Sequence, residues 1–92
     1  MRLLVTPTFE RTAKKLLRPQ KTELDEAVRT IASQPELGEP KVGDLAGVYV
    51  YKFRMGKHLC LIAYRILDEE TLKLLMVGPH ENFYRDLKRT GH

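Results

Sequence analysis

The feature that most constrains the fold is a series of three strand-type runs in the second half of the chain, rich in Val, Ile, Leu and Tyr. The runs cover residues 48–54, 58–67 and 71–77. The segments between them, Met55-Gly56 and Asp68-Glu69-Glu70, are short enough to form hairpin turns. Strands joined by such turns are antiparallel neighbours. This half of the sequence therefore predicts a three-stranded antiparallel meander.

The first half has helical rather than strand periodicity. A short strand at residues 3–5 is followed by apolar side chains at helical spacing over residues 9–17, with Thr8 as the expected N-cap. Pro19 ends this helix and can open a second one that runs to about Ser33. The two helices predict a helical hairpin.

A Gly- and Pro-rich segment, residues 34–47, separates the two halves. After the third strand, Gly78-Pro79 ends the sheet, and Phe83 and Leu87 at i, i+4 spacing predict a short last helix. The order β-α-α-β-β-β-α predicts an α+β fold, an antiparallel sheet flanked by an N-terminal helical hairpin and a short C-terminal helix. A chain of 92 residues is expected to form a single domain, residues 1–92.

Composition narrows the class of protein. The single cysteine, Cys60, cannot form an internal disulfide, and its alternation with Ile62 predicts a small core side chain. No Cys/His spacing typical of a zinc site is present, so neither a metal nor another cofactor is expected. The apolar runs are far shorter than the roughly 20 residues of a membrane span, and the N-terminus has no signal-peptide core. The sequence therefore predicts a cytoplasmic protein that does not contact membranes.

The net charge of +4 favours an anionic partner, and the excess is local. Acidic side chains of the second half concentrate in the Asp68–Glu70 turn. In a three-stranded meander the third strand runs parallel to the first, so it ends beside the first hairpin turn. His80 is therefore expected near Lys52, Arg54 and Lys57, in a register that places Arg54 opposite Lys57.

Basic side chains beside a histidine and an aromatic ring suit a phosphodiester: positive charge for the phosphates, a stacking face for a base and a group that titrates near neutral pH. Tyr84 is the candidate ring. The residues alone leave a structural alternative open, since Lys and Arg can simply solvate a hairpin end, His80 can cap the last helix and Tyr84 can pack beside Phe83. Supporting charges are expected from Arg65, Glu81 and Arg85, whereas His58 and His92 are given no function.

The order of elements and three segments resemble the RelE/ParE superfamily of bacterial toxins from type II toxin–antitoxin systems, and the RelE-like branch most closely. The segments are Tyr-Val-Tyr-Lys-Phe-Arg at 49–54, Cys-Leu-Ile-Ala-Tyr-Arg-Ile at 60–66, and Val-Gly-Pro-His-Glu-Asn-Phe-Tyr at 77–84. The resemblance covers nearly the whole chain. It implies a toxin that docks in the ribosomal A site and cuts mRNA there without a metal, inhibiting translation. It also implies a cognate antitoxin that holds the toxin inactive, and binding to operator DNA only as the toxin–antitoxin complex.

The resemblance also implies residue roles. Lys52 and Arg54 match the family's basic strand, which neutralises the phosphate at the cleaved bond. His80 falls where RelE has an arginine and sister branches have a histidine that acts as general acid or base.

Tyr84 lies near the functional tyrosine of RelE, out of register with it. Leu61 stands where RelE has a basic residue, with Arg65 four residues later. Lys57, Arg65 and Arg85 are the expected RNA contacts, with His80, Lys52, Arg54 and Tyr84 as the catalytic set. Two alternatives stay open: a ParE-like inhibitor of DNA gyrase, and a weakened family member that only binds its antitoxin.

Overall fold

The two predicted helices cover one face of a β-sheet. In the computed structural model, which describes residues 1–89, α1 spans Pro7–Lys14 and α2 spans Arg18–Ser33. The prediction of Thr8 as the N-cap of α1 was wrong, because Thr6 Oγ1 accepts the hydrogen bond of the Phe9 N–H at 3.1 Å. Pro7 suits the first helical position, since it has no N–H to satisfy and its φ is already helical. His92 lies outside the described residues.

In residues 1–89 five strands form one sheet, in the order β1-β5-β4-β3-β2. They are β1 Arg2–Val5, β2 Glu39–Pro40, β3 Tyr49–Met55, β4 His58–Asp68 and β5 Thr71–Pro79. The α+β class is confirmed, but the sheet is mixed rather than antiparallel throughout, because β1 pairs with β5 in parallel. Parallel neighbours in a sheet need a connection of about a dozen residues or more. The chain between β1 and β5 includes the helical hairpin and is long enough to let these two strands run parallel. Within residues 1–89 no helix is long and apolar enough to span a membrane.

The turn between β3 and β4 lies one residue later than predicted. Its two loop residues are Gly56 and Lys57, with Met55 opposite His58. Gly56 has φ +64°, and a two-residue type II′ turn takes glycine at its first loop position. The predicted register was therefore wrong: Lys52 is opposite Leu61 instead of Leu59. Each partner moves by two residues, so every side chain stays on its predicted face.

The sheet has an apolar core on each face. The α1–α2 side buries residues from both helices and from β3, β4 and β5, and the other side is covered by the last helix, α3, Phe83–Arg89. Phe83 and Leu87 are the buried anchors of α3, as their spacing predicts. Cys60 is buried in the first core, in agreement with its predicted role, and burial raises the pKa of its thiol.

The Gly- and Pro-rich segment is fastened to the sheet by Tyr64. This side chain is fully buried, and its ring stacks on Tyr49 with 5.6 Å between the centroids. Its hydroxyl donates to the Pro35 carbonyl and accepts from the Gly38 N–H at 3.0 Å. Burial raises the pKa of this phenol. The segment therefore runs along the edge of the sheet, where it supplies β2.

Candidate functional site

Arg54, Lys57 and His80 lie at the end of the sheet that carries the β3–β4 turn, and Lys52 lies two residues, or about 7 Å, further back along the same face of β3. We call these four predicted site residues the basic corner. Arg54 is opposite Leu59 on β4, and the Leu59 carbonyl accepts the backbone N–H of His80 at 3.1 Å. Neighbouring strands lie about 4.8 Å apart, so the backbones of Arg54 and His80 are about 10 Å apart across β4. Because β5 runs parallel to β3, its end lies beside the β3–β4 turn, and His80 lies there as the meander predicts.

Lys52 and Arg54 project from the α3 side of β3. Phe53 and Met55 alternate with them and pack against the helical-hairpin core. Val50, two residues before Lys52, is buried in the core beneath α3. Both basic residues are nevertheless exposed. The alternation of β3 therefore keeps two cations in solvent on the same face, next to a packed core.

Lys57 and His80 line one surface cavity of about 440 Å³. The other lining residues are His58, Leu59, Pro79 and Glu81. His80 and Lys57 are both exposed. An ammonium group and an imidazole on one open cavity can bind an anion and move a proton at it.

A sharp turn after β5 sets the position of His80. Asn82 has φ +61°, a left-handed conformation that asparagine tolerates better than most residues. The His80 carbonyl accepts the Phe83 N–H at 3.3 Å, and the Asn82 carbonyl accepts the Asp86 N–H at 3.0 Å. This turn brings α3 back over the sheet and leaves His80 at its end.

Tyr84 does not join the basic corner. It lies against the segment that carries β2, where Lys41 Nζ is 4.9 Å from the centroid of its ring. Lys41 Nζ also pairs with Glu39 Oε1 at 3.0 Å, and this bond lowers the pKa of Glu39 and raises that of Lys41. Tyr84, Lys41 and Lys88 line a second open cavity of about 440 Å³.

Sequence reasoning missed Lys41 as a neighbour of Tyr84. The residue stands in an aperiodic Gly- and Pro-rich segment, so no helix or strand pattern places it. Its position depends on β2, where Pro40 is opposite Tyr49, and on the bond from the Lys41 N–H to the Val48 carbonyl at 2.9 Å. The sequence carries no signal for that pairing.

The two other predicted RNA contacts lie elsewhere. Arg65 is opposite Lys73, six residues along β4 from Leu59, which is about 20 Å at strand spacing. Its guanidinium lies against Gly47, at the far end of the sheet. Arg85 is exposed on α3, with Nε 3.8 Å from Asp86 Oδ1. Leu61 is fully buried beneath α3, so this position adds no charge to the corner.

Of the supporting residues, Glu81 lines the same cavity as His80 and Lys57. His58, to which no function was assigned, is exposed in the same lining. Among residues 1–89, no three His, Cys, Asp or Glu side chains lie close enough together to hold a metal ion.

A family model described as the ParE-like toxin of type II bacterial toxin–antitoxin systems matches residues 3–88. No curated protein matches the chain. The matched range contains all four residues of the basic corner and every strand and helix described above, except for the first residue of β1, Arg2, and the last of α3, Arg89.

Solved toxin structures share the fold. A free-state double mutant of the E. coli toxin RelE has a TM-score of 0.74 and 17% identity, covering 99% of this chain and 97% of that one. A chain of the intact E. coli RelBE toxin–antitoxin complex has a TM-score of 0.70 and 18% identity, covering 87% of this chain and 96% of that one. A chain of the RelBE2 toxin–antitoxin complex from Mycobacterium tuberculosis has a TM-score of 0.67 and 28% identity, covering 86% of this chain and 96% of that one.

Proposed function

Because the chain belongs to the ParE-like toxins of type II bacterial toxin–antitoxin systems, we propose that it is an endoribonuclease that cuts mRNA on the ribosome and so inhibits translation. The observation that supports this activity is the basic corner. Arg54 and His80 lie on either side of Leu59, at the same level of three neighbouring strands. Lys57 lines the same cavity as His80. Cations around an imidazole are the groups that phosphodiester cleavage needs.

In the proposed reaction the RNA's own 2′-oxygen attacks the adjacent phosphorus. A bond forms between that oxygen and phosphorus, the bond to the 5′-oxygen breaks, the 2′-hydroxyl loses its proton and the leaving oxygen gains one. His80 carries out proton transfer. Lys52, Arg54 and Lys57 stabilise the negative charge on the five-coordinate phosphorus, where one preformed donor contributes about 3 kcal/mol. The reaction as written uses no metal ion.

Tyr84 and Arg85 have a different role in this proposal. Both lie on α3, which covers the same face of the sheet as Lys52 and Arg54. We propose that they orient RNA beside the basic corner, without taking part in the bond changes. Arg65 is given no role, because it lies at the far end of β4.

The similar structures also suggest the partners. The E. coli RelBE and Mycobacterium tuberculosis RelBE2 structures are complexes of a toxin with its antitoxin. We propose that this chain, acting as one toxin domain over residues 1–92, binds a cognate antitoxin in the cytoplasm. The ribosomal A site would align the mRNA, and operator DNA would be bound only by the toxin–antitoxin complex.

Expression in bacteria, followed by mapping of RNA 5′ ends, tests the nuclease. Induction is expected to arrest growth and to produce new mRNA ends in frame with codons. Lys52→Ala is expected to relieve both effects. Lys21→Ala is the matched control, because it removes the same charge from an exposed site on α2. Full toxicity of Lys52→Ala, or growth arrest without in-frame cuts, would contradict the proposal.

A second candidate function is inhibition of DNA gyrase through protein contact, which the ParE-like description of the family model favours. A gyrase inhibitor would trap gyrase on DNA and induce the DNA-damage response. It would leave mRNA uncut. The same induction experiment separates the two functions when both responses are recorded.

A further inference from the structure

The tip of the β3–β4 hairpin is held to α2 by one carboxylate. The Gly56 N–H donates to Glu23 Oε2 at 3.0 Å and to Oε1 at 3.1 Å, across 33 residues of sequence. In a four-residue turn the N–H of the second residue takes no part in the turn's own hydrogen bond, so it is free to bind a group outside the turn. Glu23 satisfies this donor and ties the turn to the helical hairpin.

This bond lies next to the proposed site. Gly56 directly precedes Lys57 and directly follows Met55, which is the neighbour of Arg54. Glu23 and Glu26 line a cleft of about 200 Å³ between α2 and β3. Arg54 belongs to the α3 face by strand alternation, but it borders this cleft at the edge of the sheet, because β2 pairs only with Tyr49 and Val50 and leaves the rest of β3 without an outer neighbour among the described strands. Lys57 and His80 line one cavity, so a movement of the hairpin tip would change the distance between these two side chains.

We infer that Glu23 is a positioning residue for the basic corner, acting through the Gly56 N–H. The inference rests on the proposed function. The negative charge of Glu23 opposes the binding of a phosphate, so the carboxylate contributes through the hydrogen bond it accepts rather than through its charge. A glutamine at the same position keeps an acceptor oxygen, whereas an alanine does not.

The test compares Glu23→Ala, Glu23→Gln and Glu26→Ala in the full-length chain. Two quantities are measured: the hydrogen-exchange rate of the Gly56 amide, and ribosome-dependent cleavage of a defined mRNA. Glu23→Ala is expected to speed Gly56 exchange by about fivefold or more, because one hydrogen bond is lost. It is expected to lower kcat by about 10- to 100-fold through misplacement of the corner. KM is expected to change by less than about threefold, since the cations remain.

Glu23→Gln is expected to cleave within about threefold of the unsubstituted chain. Glu26→Ala, which removes a carboxylate from the same cleft, is expected to leave both quantities unchanged. Unchanged exchange or an unchanged cleavage rate in Glu23→Ala would overturn the inference while the nuclease proposal stands. Equal losses in Glu23→Ala and Glu23→Gln would assign the effect to charge and also overturn it. An unsubstituted chain that does not cut mRNA would refute the proposed function itself, and the role of Glu23 in cleavage with it.

Discussion

Replacing Tyr64 by Phe is expected to weaken the fold by detaching the segment that carries β2. The hydroxyl of this fully buried side chain links Pro35 and Gly38 to the sheet. Without it the buried Gly38 N–H has no partner, which costs about 1–3 kcal/mol, while the Pro35 carbonyl lies partly in solvent and can bind water. The ring is retained, so no large cavity opens. We therefore expect a loss of about 2 kcal/mol in the free energy of unfolding.

Thermal and urea unfolding, followed by circular dichroism, measure this loss. For a domain of this size, 2 kcal/mol corresponds to a fall of about 8–16 °C in Tm. Tyr49→Phe is the matched control, because Tyr49 stacks on Tyr64 and is only half-buried. It is expected to change stability by less than about 0.5 kcal/mol. A Tm for Tyr64→Phe within about 2 °C of the unsubstituted chain would refute the claim that this hydroxyl secures the segment.

Two further expectations concern titratable groups. Burial raises the pKa of the Cys60 thiol, so iodoacetamide at pH 8 is expected to modify the folded chain at least about tenfold more slowly than a free cysteine peptide. Mass spectrometry measures both rates, and equal rates would contradict the burial of Cys60. The Asp68 carboxylate accepts the Glu70 N–H at 2.8 Å, and this bond lowers the pKa of Asp68. Its contribution to stability is complete above the unfolded pKa and is lost as the pH falls through the lower folded pKa. Asp68→Asn is therefore expected to be less stable than the unsubstituted chain at neutral pH, with the difference disappearing in acid; a constant difference in urea midpoints from pH 7 to pH 2 would contradict this.

The strand pattern was sufficient to predict the meander and the location of the basic corner. Strand direction alone determines which ends meet, so His80 had to follow β5 to the β3–β4 turn. The turn itself was predicted one residue early, because the two registers place every side chain on the same face and hydrophobic alternation cannot distinguish them. Glycine's preference for the first position of a type II′ turn decides for Gly56-Lys57.

Hydrophobic periodicity did not predict other contacts at the site. The contact of Tyr84 with Lys41 depends on β2, a two-residue strand in an aperiodic segment. The hydrogen bond from the Gly56 N–H to Glu23 joins a turn to a helix 33 residues away. Neither the strand alternation nor the helical spacing of the sequence indicates this bond. Arg65 was predicted as an RNA contact, although strand length already separates it from Leu59 by six residues on a single strand.

The central claim is that the basic corner cleaves RNA by attack of the 2′-oxygen. The most direct measurement is the chemistry of the RNA ends produced when the purified chain acts on mRNA in a translating ribosome. The proposed reaction predicts a 5′-hydroxyl on one fragment and a 2′,3′-cyclic phosphate, or the phosphate derived from it, on the other. His80→Ala is expected to produce these ends at least about a hundredfold more slowly. Uncut mRNA, ends that carry a 5′-phosphate, or an unchanged rate with His80→Ala would contradict the account.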